Sequence, residues 1–289
     1  MRDRYDLHTH SVHSDGTTTP AEIAREAAEL GLAGFALTDH DTTRGWSEAR
    51  EAAEELGIEF LPGMEITTRD EGRSTHLLAY GLDPAHGELA DALATVRAAR
   101  LERAREMVRL LGADFEIDWP AVVGDLEERL AQDLESPHDR TFGRPHIADA
   151  LVAAGYSPSR TEAFAGVLGP GSPYYLPTYA IETADAIRMV RAAGGVPVLA
   201  HPAAGRHSRP VDPAALERFA LAGLWGLELE HPENRPDWLP GLRSLADEHG
   251  LRITGASDYH GAGKANRLGE RTSPAEIWSD IRALAAVPR

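Results

Sequence analysis

Apolar runs of strand length alternate with amphipathic runs of helix length from the start of the chain, and the alternation breaks once before resuming. Residues 5–8 read as a strand. Thr19-Pro20-Ala21-Glu22 places Thr at an N-cap, Pro at the first helical position and Glu two residues beyond it, a helix start. The spacing predicts a helix from there to Leu30, stopped at Gly31, and then a buried strand over 33–37. A helix over 45–56, ended by Gly57, precedes strands over 58–61 and 76–80. Repeated strand–helix units favour a parallel sheet with its functional groups at the C-terminal ends of the strands.

The alternation stops after Pro84. Residues 86–111 read as one long helix, and 119–177 as helical pieces broken by Gly and Pro, without a convincing strand. Residues 85–177 therefore read as a helical insertion, splitting a domain made of 1–84 and 178–289. Beyond it come a helix over 183–193, a Gly194-Gly195 stop and a strand over 196–200. A helix over 213–222, a strand over 226–229, a helix over 238–249 and a strand over 252–256 follow. Ser273-Pro274-Ala275-Glu276 reads as a second capping box opening a last helix. About seven strands result, in barrel-like order.

At 289 residues the chain is long enough for one large domain with an insertion, and its 42% hydrophobic content is ordinary for a globular protein. No apolar run is long enough to span a bilayer, and no signal-peptide apolar region opens the chain. Without Cys there is no disulfide and no thiolate metal site, so a reducing cytoplasm is expected. Metal binding falls to His and carboxylates, which suit Mn²⁺, Fe²⁺ or Zn²⁺. Lys and Arg number 29 against 46 Asp and Glu, a formal charge of −17, which argues against a duplex-binding face. Small anionic substrates stay compatible, because bound cations make a cleft locally positive on an acidic protein.

Three stretches end in histidines and carboxylates where strands would end: Asp6-Leu7-His8-Thr9-His10, Leu37-Thr38-Asp39-His40-Asp41 and Ala256-Ser257-Asp258-Tyr259-His260. Residues two apart on a strand share a face, so His8 and His10, or Asp258 and His260, can grip one ion. A lone His is usually a surface or core residue. Here, however, the stretches join an ordered series with Ser14-Asp15-Gly16, Gly63-Met64-Glu65, His76-Leu77-Leu78-Ala79-Tyr80 and Ala200-His201-Pro202. That series resembles the motifs of the PHP (polymerase and histidinol phosphatase) phosphoesterases. The resemblance implies an α/β fold, a distorted (β/α)₇ barrel with a helical insertion, and three divalent ions, Mn²⁺ first among them.

It implies that His8, His10, Glu65 and Asp258 hold a first ion, and that Glu65 bridges to a second completed by His76 and His201. Asp15 (where some PHP proteins place His), His40 and His260 would hold a third beside the transferred phosphoryl group, and so count as catalytic. Such a cluster lowers the pKa of bound water and clamps phosphoryl oxygens, so hydroxide at the metals replaces a protein nucleophile. Asp39 and Asp41 read as orienting or capping residues. His13, His86, His138, His207, His231 and His249 read as ordinary, and Glu228 and Glu230 as orienting or exposed.

Arg97, Arg100 and Arg103 recur loosely along one helix face, and Gly143-Arg144-Pro145-His146 precedes another helix. An Arg series is as often a solvated face, but Arg is also the preferred bidentate phosphate ligand. These stretches resemble those of the RNase AM-like subgroup of PHP proteins, which hydrolyses nucleoside 3′,5′-bisphosphates and can trim short RNA from its 5′ end. By that resemblance the insertion covers the active site, and Arg100, Arg103, Arg144 and His146 bind the phosphate that is not cleaved. Residues 127–140 are longer and more charged than the subgroup's pattern. The expected substrate is a small phosphorylated nucleotide or a short 5′-phosphorylated oligonucleotide, with neither duplex nor membrane as partner. Histidinol-phosphate phosphatase, or a non-catalytic nucleic-acid-binding or proofreading module, are the alternatives. The Arg-bearing insertion disfavours the first of these and the complete donor series the second.

Overall fold

The computed structural model describes residues 3–130, 141–205 and 209–285, which form two compact units. One comprises Met1–Leu93 and Ala180–Arg289, the other Ala94–Tyr179.

The first unit is built on one sheet. Its strands and helices run β1 (Arg4–Thr9), α1 (Pro20–Glu29), β2 (Gly34–Leu37), α2 (Trp46–Leu56), β3 (Glu59–Asp70) and β4 (Arg73–Tyr80), with α3 (Gly87–Leu111) beginning next. The second unit carries the rest of α3 with α4 (Trp119–Leu130), α5 (Arg144–Ala153) and α6 (Arg160–Ala165). The chain then returns through β5 (Ile181–Glu182), α7 (Thr183–Ala192), β6 (Val196–Leu199), α8 (Pro213–Ala222), β7 (Gly226–Glu230), α9 (Leu239–His249), β8 (Arg252–Gly255), β9 (Ser273–Pro274) and α10 (Ala275–Leu284). The strand order is β8-β7-β6-β4-β3-β2-β1-β9, with β5 also on β3. β1 to β3 and β6 to β8 are parallel neighbours, while β4 runs antiparallel to both β3 and β6. The expected α/β class with a nearly closed barrel sheet is therefore present, but the sheet is mixed rather than all parallel.

The antiparallel step comes from a hairpin that helix–strand alternation hides. Asp70 pairs with Arg73, so only Glu71 and Gly72 turn the chain, with φ of 47° and 83°. Two consecutive positive φ values define the tight turn whose twist suits a hairpin. Hence β3 runs on to Asp70 rather than stopping at Leu61. β5 and β9 are two-residue strands too short for any periodicity to mark.

The capping box at Thr19 forms: Thr19 Oγ1 accepts from Glu22 N at 3.2 Å, and Glu22 Oε2 from Thr19 N at 2.8 Å. The box expected at Ser273 does not. Pro274 is the N-cap of α10, and Ser273 Oγ instead accepts from Gly255 N at 2.8 Å and donates to Gly255 O at 2.9 Å. A hydroxyl in β9 has a buried strand end to satisfy, and that need outcompetes the cap.

The sheet all but closes through its ends. His10 N donates to Tyr259 O at 2.8 Å, Tyr259 N to His8 O at 3.2 Å, and Ser257 N to Asp6 Oδ1 at 3.0 Å. Inside, Leu7, Leu78 and Val198 are fully buried. Each such side chain contributes roughly 1.5–3 kcal/mol. Trp278 of α10 stacks on Tyr5 at 4.3 Å, fastening the last helix to the first strand.

The second unit has its own core, with Met107, Leu111, Ile147, Leu151 and Leu168 wholly buried. Gly124, at φ 41° and ψ −149°, interrupts α4. Residues 131–140 of the charged stretch noted above lie outside the described residues.

Candidate metal centre

Strand ends and the loops leaving them supply most of the donors, and the interiors of β3 and β4 supply Glu65 and His76. His8 stands near the end of β1 and His10 just beyond it. His40 follows β2 and bridges to Glu65 on β3, while His76 lies on β4. His201 follows β6, and Asp258 and His260 follow β8. Asp15 comes from the loop after β1, which folds back so tightly that a Cβ on Gly16 would meet His10 O at 2.2 Å. The structure thus brings all nine expected residues, His8, His10, Asp15, His40, Glu65, His76, His201, Asp258 and His260, into one cluster.

Glu65 is the hub. Its Oε1 lies 2.7 Å from His76 Nδ1 and 3.1 Å from His201 Nε2. Its Oε2 lies 3.3 Å from His8 Nε2, 3.1 Å from His10 Nε2 and 3.3 Å from His40 Nδ1. The two oxygens therefore face different imidazoles. Asp258 Oδ1 stands 3.4 Å from both His8 Nε2 and His10 Nε2, which are 3.0 Å from each other. Asp15 Oδ1 lies 3.2 Å from His260 Nε2, and Oδ2 3.7 Å from His40 Nε2. Asp15 Oδ1 is also 3.5 Å from His10 Nδ1, and His40 lies nearer Glu65 (3.3 Å) than Asp15 (3.7 Å). His40 groups with Glu65 and His76 while Asp15 and His260 group with His10, so the three sets interlock.

Donors bound to one ion at about 2.1 Å stand about 3.0–3.4 Å apart, along the edges of an octahedron or tetrahedron. The distances from the His8 and His10 Nε2 atoms to each other and to Glu65 and Asp258 run from 3.0 to 3.4 Å. Imidazoles and carboxylates at that spacing, all buried, fit divalent cations.

The electrostatics agree. Burial works to raise the Glu65 carboxyl, but His76, His40 and His8 hold it well below the usual carboxylate range. Asp15 is likewise held low against burial, by His260 and His40, and Asp258 by Lys264, His8 and His260. Burial opposes protonation of His10, yet Asp258 and Glu65 raise it to about 9. The acids and the imidazoles of His8 and His10 stabilise each other's charged forms, as an ion would stabilise the acids, whereas burial and the charge of His10 lower His260.

The backbone is strained at this cluster. Of the four non-glycine residues with positive φ among the described residues, Asp41 (54°), His201 (28°) and Asp258 (55°) lie at it. Such conformations persist only where neighbours impose them. Asp41 accepts from Thr67 N at 2.8 Å and Thr67 Oγ1 at 2.7 Å, tying the loop after β2 to β3. Asp39 accepts from Ser11 N at 2.7 Å and from the hydroxyls of Ser11 and Ser14 at 2.6 Å. Both anchor the loops that carry donors.

His231 is not the ordinary residue it looked. It is buried, and its Nδ1 accepts from Glu233 N at 3.1 Å, leaving the proton on Nε2, 3.5 Å from Asp258 Oδ2. Lys264, unmarked by any motif, donates to the same oxygen at 2.5 Å. Buried Glu228 reaches His8, whereas Glu230 is exposed and paired with Arg243. An acid alternating with Leu along β7 was the one available sign of Glu228. His13 lies near Glu48, while His138 and His207 fall outside the described residues.

In the helical unit Arg100, Arg103 and Arg144 gather. Arg103 and Arg144 both lie over the ring of Tyr175, at 5.3 and 5.4 Å. Their guanidiniums donate to backbone carbonyls: Arg100 to Phe142 at 3.3 Å, Arg103 to Leu176 at 2.6 Å, Arg144 to Leu168 at 3.2 Å. Burial lowers Arg103 to about 10, with the charges of Arg144 and Arg100 adding to it. His146 Nδ1 accepts from Gly143 N at 3.2 Å, across the start of α5.

Comparison with known proteins places this geometry in a family. The PHP domain model matches residues 6–122. A 3′,5′-nucleoside bisphosphate phosphatase of Chromobacterium violaceum is 36% identical, over 96% of each chain. A 5′-3′ exoribonuclease of Haemophilus influenzae is 32% identical over 90% of this chain and 91% of its own. A solved structure from Bifidobacterium adolescentis, provisionally named a metal-dependent phosphoesterase, superposes with a TM-score of 0.91 at 43% identity, over 98% of this chain and 96% of that one.

Proposed function

This chain belongs to the PHP domain family and is a phosphoester hydrolase, and we propose that it removes the 3′-phosphate from nucleoside 3′,5′-bisphosphates, leaving 5′-monophosphates. The observation that carries the reading is the spacing of 3.0–3.4 Å from the His8 and His10 Nε2 atoms to each other and to Glu65 and Asp258. Three divalent ions, Mn²⁺ by preference, would be held by this set, by Glu65 with His76 and His201, and by Asp15, His40 and His260. When bound, such ions polarise a phosphoryl oxygen and lower the pKa of a coordinated water.

The chain's own residues do the rest. Glu65 holds the His8/His10 and His76/His201 sides at fixed separation through its two oxygens. Asp15, His40 and His260 orient the transferred phosphoryl group. Arg100, Arg103 and Arg144, with His146, bind the phosphate that stays, since guanidinium forks match phosphate oxygens and a partly desolvated cluster of like charges gains most from an anion. Their gathering around the Tyr175 ring, each with a backbone-carbonyl contact, supports this, because it brings three guanidiniums to one place. The protein acts in the cytoplasm in this reading, and no helix among the described residues is long and apolar enough to cross a membrane.

The name of the Haemophilus influenzae relative favours a second activity on the same centre, 5′→3′ trimming of short RNA. The test is phosphate and nucleotide release from a panel: a 3′,5′-bisphosphate, a 5′-monophosphate, histidinol phosphate and a short 5′-phosphorylated RNA, each with Mn²⁺. The bisphosphate should be turned over fastest, with the RNA shortened from its 5′ end. Preference for histidinol phosphate would overturn the assignment.

A further inference from the structure

Glu228, outside the donor sets named above, is buried on β7 with no solvent exposure, and each of its oxygens is engaged. Oε1 lies 2.9 Å from His8 Nδ1 and Oε2 accepts from the backbone N of His201 at 3.0 Å. A carboxylate only accepts, so Nδ1 carries a proton, and Nε2, which faces Glu65 and Asp258, is the nitrogen left to meet an ion once its own proton is displaced. The second contact falls on the residue whose φ of 28° sets the turn after β6. Asn234 secures the support, donating to Glu228 O at 2.8 Å and accepting from Ala203 N at 3.1 Å.

We propose that Glu228 is a positioning residue of the metal centre: one carboxylate selects the His8 tautomer and holds the turn that aims His201, so that both imidazoles meet at Glu65. The inference rests on the metal-dependent reading of the site. His8, Glu228 and His231 also lie close enough to suggest an ion of their own. The geometry favours an orienting role instead, because Glu228 Oε2 is taken up by the backbone N of His201, Oε1 faces the His8 nitrogen turned away from Glu65 and Asp258, and His231 Nδ1 accepts from Glu233 N. Glu228 therefore orients donors rather than serving as one.

Glu228→Gln keeps the shape but offers one acceptor to two N–H donors, so one contact is lost. Carboxylates that orient metal-bound imidazoles typically account for ten- to a hundredfold in affinity. Zinc affinity of the full chain, read by competition with a chromogenic chelator, should fall by about that factor in Glu228→Gln. The control Glu230→Gln removes the same charge from the exposed end of the strand and should leave affinity unchanged. Imidazole ¹⁵N spectra of the zinc-loaded wild-type chain need no variant. They should show His8 bound through Nε2 and protonated at Nδ1. Equal affinities in Glu228→Gln and wild type, equal losses in both variants, or His8 bound through Nδ1 would each overturn this inference alone. A wild-type chain that takes up no Zn²⁺, Mn²⁺ or Fe²⁺ would overturn it together with the reading beneath it.

Discussion

The donor cluster of the barrel unit and the arginine cluster of the helical unit are both partly or wholly buried assemblies of charge, built by opposite means. In the barrel, opposite charges interleave, and Glu65 alone has five imidazole nitrogens within 2.7–3.3 Å. Strand ends and a strained backbone fix their positions. In the helical unit like charges gather, with Arg103 lowered to about 10 by burial and by Arg144 and Arg100. Backbone carbonyls contact all three, and the Tyr175 ring contacts Arg103 and Arg144. In the proposed reading the first arrangement keeps cations and the second attracts an anion. That would separate chemistry from recognition within one chain, and each of the following expectations bears on that reading.

The largest effect should come from Glu65→Ala. Losing one donor affects one ion, but losing Glu65 removes an oxygen from two sides of the cluster. Metal content and turnover, measured together, should both fall, turnover by more than the roughly hundredfold typical of orienting residues. Full metal content with normal turnover would remove Glu65 from the centre.

Arg100→Ala and Arg103→Ala should act on recognition alone. A charge-assisted hydrogen bond contributes about 1.5–3 kcal/mol, roughly ten- to over a hundredfold in kcat/KM for a 3′,5′-bisphosphate. On p-nitrophenyl phosphate, which has no second phosphate, the effect should be small. Equal losses on both substrates would make the arginines structural and dissolve the contrast.

Metal uptake should depend on pH with a definite sign. His10 keeps its proton up to about pH 9 in the metal-free cluster, and a bound ion must displace it. The carboxylates, held low, stay ionised. Apparent affinity should therefore rise between pH 6 and 8, by about tenfold per unit for each imidazole proton released. Titration calorimetry in buffers of different ionisation enthalpy counts those protons, and a flat profile would contradict the charge pattern.

Ser273→Ala should have the smallest effect and touch neither region. It leaves Gly255 N without its acceptor, at a cost of about 1–3 kcal/mol of unfolding free energy in denaturant melts, with metal uptake unchanged.

What the sequence revealed divides along physical lines. The stretches holding His8, His10, His40, Asp258 and His260 were legible because period-2 spacing and the breaks after apolar runs mark strand ends. Asp15, Glu65, His76 and His201 came instead from the resemblance to the PHP motif series, and Glu65 and His76 lie inside β3 and β4. The long helix, the capped start of α1 and the Gly57 stop were legible from local chemistry. Long-range partnerships were not. Ser273 had the spacing of a cap, but its hydroxyl serves Gly255 instead, a contact visible only once the sheet nearly closes. The β3–β4 hairpin was hidden because helix–strand alternation favours parallel pairing, although Glu71-Gly72 was its local sign. His231 and Lys264 belong to no motif, and their meaning comes from Asp258 Oδ2, which both face.

The most direct measurement follows a nucleoside 3′,5′-bisphosphate by ³¹P NMR with chelator-treated protein as Mn²⁺ is added back. The account predicts no turnover without metal. Activity should then rise with Mn²⁺ occupancy, releasing one inorganic phosphate and leaving the 5′-monophosphate. Turnover that persists in the metal-free chain, or a 3′-monophosphate product, would contradict it.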